Sequence, residues 1–303
     1  MASDDPGVSR RLDEHAVDAV LRRLARGDAP PWLHGEIARR MGERLALIRL
    51  QPERVIDWWS FLGAGHPLLH DTYPRAEIVA VEPSPAFAQR SRSLHRAPWW
   101  SPKRLRGRAP QVAQACDDLG APAQLVWANM MLHWVGDPPA LLGRWRRALS
   151  ADGFAMFSCF GPDTLRELRE LYARLGWPAP MPAFVDMHDL GDMLVHAGFA
   201  DPVMDQETLT LSWSSPRALL DELRTLGGNV SIDRHTGLRT PRWRDRLERE
   251  LQARADTDGR TSMRFEIAYG HAFKALPRAQ RGETTTTVSL QEMRDLVRSG
   301  RRT

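Results

Sequence analysis

Asp57, Glu82, Asp117 and Asn129 are the side chains whose types and positions could make a binding site. Each stands at or just beyond the end of a short apolar run. Acids and amides in such places meet sugar hydroxyls or an ammonium group. Gly63-Ala64-Gly65 lies between the first two, and glycine lets a ligand approach the backbone. Acid, glycine turn and second acid form the plan of a nucleotide-type site. In that plan the second acid receives ribose hydroxyls and a helix N-terminus adds positive potential. The strict G-x-G-x-x-G spacing is absent. Trp59 and Phe61 stand where glycines are expected directly after Asp57. Either the strand runs on and the turn is 63–65, or the first glycines are lost and the pocket is partly filled. An ordinary strand ending in a glycine turn is the bland alternative to both.

The elements that must position these groups alternate along the chain. Val55-Ile56 and Ile78-Val79-Ala80-Val81 read as buried strands before Asp57 and Glu82. Residues 111–116 give a short third strand with Asp117 beyond its end, where a turn-capping role competes with a ligand contact. Residues 125–129 give a fourth strand ending on Asn129, and 154–160 a fifth. Helical spacing is predicted at 66–72, 85–94 and 140–149 between the strands. It is also predicted at 12–24 and 32–48 ahead of them, where Trp32, Leu33 and His34 either face the ligand or pack in the core. This alternation predicts a doubly wound sheet with ligands at the strand C-terminal ends. Farther on, helices are expected at 164–175 and 189–196, and a helical insertion at 216–259. Alternating residues at 202–213 and 263–269 predict an antiparallel edge pair.

Composition limits the setting. The chain has 303 residues, enough for one full core, with a formal net charge of +4. No apolar run is long enough to span a bilayer, and the start Met1-Ala2-Ser3-Asp4-Asp5 lacks the apolar core of a secretory signal. Cys116 and Cys159 offer no metal-ligand spacing, so no metal is expected and a reduced cytoplasmic setting is. Basic residues are mostly arginine and cluster in the Trp- and Arg-rich stretch 97–110 and in the tail. No nucleic-acid-binding signature accompanies them. A solvated surface is the first reading and an acidic protein partner the second.

Three longer runs are more specific: Asn129-Met130-Met131-Leu132-His133-Trp134, the stretch Phe160-Gly161-Pro162-Asp163-Thr164-Leu165-Arg166, and Phe184-Val185-Asp186-Met187-His188-Asp189. Together with Leu223-Arg224-Thr225-Leu226-Gly227-Gly228-Asn229 and Tyr269-Gly270-His271, they closely resemble the malonyl-carrier-protein O-methyltransferases of biotin synthesis. Those are class I S-adenosylmethionine-dependent methyltransferases. The resemblance covers about residues 35–275 and departs at the glycine loop.

The resemblance implies an α/β, Rossmann-like fold with a seven-stranded, mostly parallel sheet, an antiparallel edge hairpin, N-terminal helices and a helical lid. It divides the chain into N-terminal helices at 1–50 and a cofactor half at 51–160. Lid, insertion and edge strands then occupy 161–280, and a polar tail 281–303. It implies methyl transfer from S-adenosylmethionine to the free carboxylate of malonyl-acyl carrier protein, with no nucleic acid or membrane involved. Asp57, Gly63, Gly65, Glu82, Asp117 and Asn129 would then hold the cofactor. Arg166, Arg169 and His188 would hold the carboxylate, with pairing of both arginines to Glu167 or Glu170 as the alternative. The altered loop leaves a second expectation, a methyltransferase-like protein that has lost its cofactor and binds a partner.

Overall fold

A computed structural model describes residues 12–94, 111–115 and 117–275. The Arg- and Trp-rich stretch 97–110, Cys116 and the tail 281–303 lie outside the described residues.

Seven strands form one sheet: β1 (Arg54–Trp58), β2 (Glu77–Glu82), β3 (Gln111–Gln114), β4 (Ala123–Ala128), β5 (Leu149–Phe160), β6 (Phe199–Trp213) and β7 (Thr261–Lys274). Their order across the sheet is β3-β2-β1-β4-β5-β7-β6. The first five run parallel, and β7 is antiparallel to both β5 and β6. Val55, Ile56, Val79, Val81, Leu125 and Val126 are all buried, as strands covered by helices on both faces require. The chain winds from β1 outward to β3 and returns to β4 on the other side. The crevice beside β1 is therefore the topological switch point. Register sets Asp57 opposite Ala80 and Trp127, which places the acids at the C-terminal edge as expected.

Helices α1 (Glu14–Leu24) and α2 (Trp32–Leu45) precede the sheet. Asp13 caps α1, its carboxylate accepting from the Ala16 amide at 3.0 Å. On α2 the buried stripe is Leu33, Ile37, Met41 and Leu45, four residues apart. Trp32 falls beside that stripe and is 50% exposed, so the expected core packing does not hold for it. Arg40 and Arg44 reach across from α2 to Glu207 (2.8 Å) and Asp205 (2.6 Å), holding it on the edge strand β6.

α3 (Ser60–Gly63), α4 (His66–Thr72) and α5 (Pro85–Leu94) lie between β1 and β3. α6 (Pro138–Ala148) joins β4 to β5, and Asp137 caps it. α7 (Arg166–Arg174) and α8 (Met187–His196) follow β5. α9 (Pro216–Leu226) and α10 (Pro241–Gln252) separate β6 from β7. The expected insertion is thus two helices with an irregular stretch between them. One apolar cluster joins α1 to Trp58, Phe61, Phe87 and Trp145. The other joins α2 to Trp127, Phe160 and Phe265.

Candidate functional site

β1 stops at Trp58, and the chain turns at once. Trp59 adopts left-handed backbone angles, φ 57° and ψ 50°, and α3 is the single helical turn that follows. This is glycine's region, and an L side chain there costs about 1–2 kcal/mol. The Trp59 amide donates to Val81 O at 2.6 Å and its carbonyl accepts from Gly63 N at 2.8 Å, fixing the bend. Burial of the rings opposes the cost: Trp59 is 7% exposed and Phe61 2%. The Phe61 ring lies 5.8 Å from that of Phe87 on α5, under the Arg90 guanidinium. Arg90 also donates to Ala25 O at 3.0 Å, which closes the end of α1 over the same place. Of the two loop readings, the strand therefore does not run on. The first glycines are replaced and the space beside them is filled.

The two acids do converge. Glu82 Oε1 accepts from the Phe61 amide at 2.8 Å and from the Ser91 hydroxyl. Asp57 Oδ2 accepts from Ser60 Oγ at 2.5 Å, with His66 Nδ1 at 3.6 Å. The remaining oxygens, Glu82 Oε2 and Asp57 Oδ1, meet no donor among the described residues. Both acids are 0% exposed, so no water-sized space adjoins either. Burial pushes the Glu82 carboxyl up to about 8, against the pull of the Ser91 and Phe61 bonds and with a further push from Asp57.

Asn129 completes the crevice, but its groups are used internally. Its amide donates to His34 O at 2.8 Å and Gly63 O at 2.6 Å, and its oxygen accepts from Ser158 Oγ at 2.7 Å. His34 Nδ1 in turn lies 2.8 Å from Leu62 O. The glycines face the chain as well. A Cβ on Gly63 would lie 3.3 Å from Asn129 O, and one on Gly65 only 2.3 Å from Nε1 of Trp127. Gly65 makes room for an indole.

The other expected site residues lie apart. Asp117 accepts from Gln114 N at 2.6 Å and lines a separate polar cleft with Trp58, Arg144 and Arg147. Arg166 is exposed and pairs with Glu170 at 3.1 Å and Asp163 at 3.6 Å. Arg169 donates to Pro162 O. His188 is exposed beside Asp186 at 2.6 Å, the N-cap of α8.

A second hollow opens past the ends of β4 and β5. Its interior and its mouth together hold about 910 Å³ of space, open solvent included. His133 and Trp134 follow β4, Phe160 ends β5, and Leu168, Tyr172, Met181, Phe184, Leu223 and Phe265 complete a mainly apolar wall. Arg224 at the end of α9 is the one arginine on that wall and makes no ion pair among the described residues. Arg23 of α1 donates to Arg224 O at 3.1 Å and to Gly227 O, bringing a second guanidinium to the rim. Desolvation lowers the pKa of Arg23, and the charge of Arg224 lowers it further. Arg224 belongs to the Leu223–Asn229 run, to which no role was assigned from sequence. Its position beside the apolar stripe Leu219, Leu223 and Leu226 was the available signal.

A methyltransferase-domain family model matches residues 32–201. The malonyl-[acyl-carrier protein] O-methyltransferase of Gallionella capsiferriformans is 37% identical over 278 residues, 89% of this chain and 94% of that protein. The chain belongs to this O-methyltransferase family. The family's proteins from Laribacter hongkongensis and Halorhodospira halophila are each 36% identical, covering 91% and 95% of this chain and 92% and 95% of their own lengths. The YcgJ protein of Bacillus subtilis and the BH2331 protein of Bacillus halodurans share the fold. Each has a TM-score of 0.52, at 12% and 13% identity, over 79% and 78% of this chain and 99% and 100% of theirs. This is the Rossmann-like class I methyltransferase fold.

The cofactor implied by this family is S-adenosylmethionine. The donor-seeking oxygens of Asp57 and Glu82 suit its hydroxyl and ammonium groups. The room does not suit it, because both carboxylates are closed off from solvent and the Trp59 and Phe61 side chains are buried beside them. In this conformation the cofactor does not fit between the two acids.

Proposed function

We propose that this protein methylates the free carboxylate of a malonyl thioester on acyl carrier protein, with S-adenosylmethionine as methyl donor. Family membership over nearly the whole chain carries the reading, and the apolar hollow with an arginine at its rim supports it. A carboxylate is already ionised at neutral pH and needs no base. The chain's own contribution is then to align the acceptor and exclude water. Arg224 is the residue we assign to the carboxylate: a guanidinium binds a carboxylate through fixed, forked donors. Phe160, Leu168 and Phe265 dry the space around it. The excess of arginine suits an acidic carrier protein, whose approach it would steer. No helix among the described residues is long and apolar enough to cross a membrane, and none of their side chains form a metal-binding group.

The test is to incubate purified protein with malonyl-acyl carrier protein and S-adenosylmethionine and to read the carrier by intact mass. One added methyl, absent when the carrier bears acetyl, is the expected result. The filled crevice favours one second reading, a protein that holds the acyl carrier without methylating it. Tight binding of the malonyl-carrier with no methyl gained at saturating cofactor would establish that reading instead.

A further inference from the structure

The crevice between Asp57 and Glu82 is filled by a particular piece of chain. What that piece offers Glu82 is an N–H from Phe61 on Oε1, the oxygen that also accepts the Ser91 O–H of α5. What it offers Phe87 is a flat ring at 5.8 Å. A nucleoside would present hydroxyl donors to the carboxylate and a flat base to the neighbouring apolar wall. The turn supplies one donor and one ring from within, the amide and the phenyl of Phe61. It is held at three points, by the Trp59 amide on Val81 O, the Asn129 amide on Gly63 O, and His34 against Leu62 O. Trp59 and Ala64, which flank α3, both sit in the left-handed region (φ 57° and 53°), so the strain of the arrangement lies at its two ends.

We infer that the turn of residues 59–62 is an intramolecular occupant of the ribose position, so that it and S-adenosylmethionine compete for Glu82 and the cofactor binds only when the turn is displaced. The inference rests on S-adenosylmethionine being the donor of the proposed reaction. Two orphaned oxygens support it: Glu82 Oε2 and Asp57 Oδ1 have no donor in the filled state, and displacement would make them available to one. A competing segment lowers apparent affinity by the fraction of molecules in which it is out of the way. The wild-type chain should therefore bind the cofactor weakly, and shrinking the occupant should tighten binding.

The experiment is calorimetric titration of S-adenosylmethionine into the full chain, wild type beside Phe61→Gly and Trp59→Gly, each first shown to be folded by circular dichroism. The expected result is affinity about tenfold or more tighter in at least one variant, since binding no longer waits on a rare open state. Equal or weaker affinity in both folded variants overturns the inference. A second measurement needs no substitution: hydrogen exchange at the Phe61 amide in the wild type. With cofactor it should speed up, because the bond to Glu82 is broken; unchanged or slower exchange overturns the inference. Methylation of malonyl-acyl carrier protein is read separately. Tighter binding in a variant with no methyl transferred by any form sinks the proposed reaction and leaves the competition standing. Transfer with equal affinities does the reverse.

Discussion

The amide of Phe61 and the carboxylate of Glu82, 21 positions apart, are joined by a 2.8 Å hydrogen bond inside the sheet's C-terminal crevice. In a nucleotide site the second acid faces the ligand; here it faces its own chain. The bond fixes α3 against the end of β2, and Ser91 adds a donor from α5. Three elements thus meet on one buried oxygen, which makes this acid a structural node as well as a candidate ligand.

The pH dependence of stability should carry the mark of Glu82. Its folded pKa of about 8 lies above the ordinary carboxyl value of 4.5. The folded state therefore holds the proton more tightly than the unfolded state. This contribution is fully present below the unfolded pKa and is lost as pH rises from there through the folded pKa. Glu82→Gln should remove up to a few kcal/mol of that decline. Urea midpoints of the two proteins between acid and alkaline pH would show converging curves at low pH and diverging ones above. Parallel curves would contradict the prediction.

His34 should act on the acid side with opposite sign. Burial depresses its imidazole to about 4, although the bond to Leu62 O works against the shift. The unfolded chain then binds the proton more readily, so stability falls as pH drops from the ordinary imidazole value of 6.5 through about 4. His34→Gln should lessen that acid-side loss. The same urea series measures it, and an unaltered acid limb would exclude His34 as its source.

Gly65→Ala should destabilise the fold by roughly 1–3 kcal/mol, the usual range for overpacking a buried site. The new Cβ would meet Nε1 of the fully buried Trp127 at 2.3 Å. Gly143→Ala is the control, with only the Arg147 guanidinium near at 3.5 Å. Equal urea midpoints for Gly65→Ala and the wild type would show that the indole has room to move.

Binding of malonyl-acyl carrier protein should weaken about tenfold or more in Arg224→Ala, the scale of one lost hydrogen bond to a charged group. Arg166→Ala should change it by about twofold at most, because its exposed pairs with Asp163 and Glu170 are worth little. Fluorescence anisotropy with labelled carrier would measure both. A larger loss in Arg166→Ala than in Arg224→Ala would return the carboxylate to α7.

The sheet was legible because its signals are local. Val55-Ile56 and Ile78-Val79-Ala80-Val81 are apolar runs that end on acids, and register then carries Asp57 and Glu82 to one edge. The alternation of Met263, Phe265 and Ile267 was enough for β7. What the crevice contains was not legible, because it depends on where two rings point after one backbone turn. Trp59 takes a conformation that residue type argues against, and only tertiary burial explains it. Arg166 and Arg169 have the right type and a plausible place after β5. Nearby acids and a carbonyl engage them first. Arg224 was missed because residues that line the same hollow, Phe160 and Phe265, are distant in sequence.

The rim of the hollow past β4 and β5 ties α1 to the segment that follows α9. The Asp13 amide donates to Val230 O at 2.8 Å, and Arg23 reaches Gly227 across 204 positions. Contacts of such long range form late in folding. During synthesis, the first helix must wait for the segment up to Val230 to emerge before this wall can close. An unfinished polypeptide would therefore have no complete acyl chamber with which to capture a carrier.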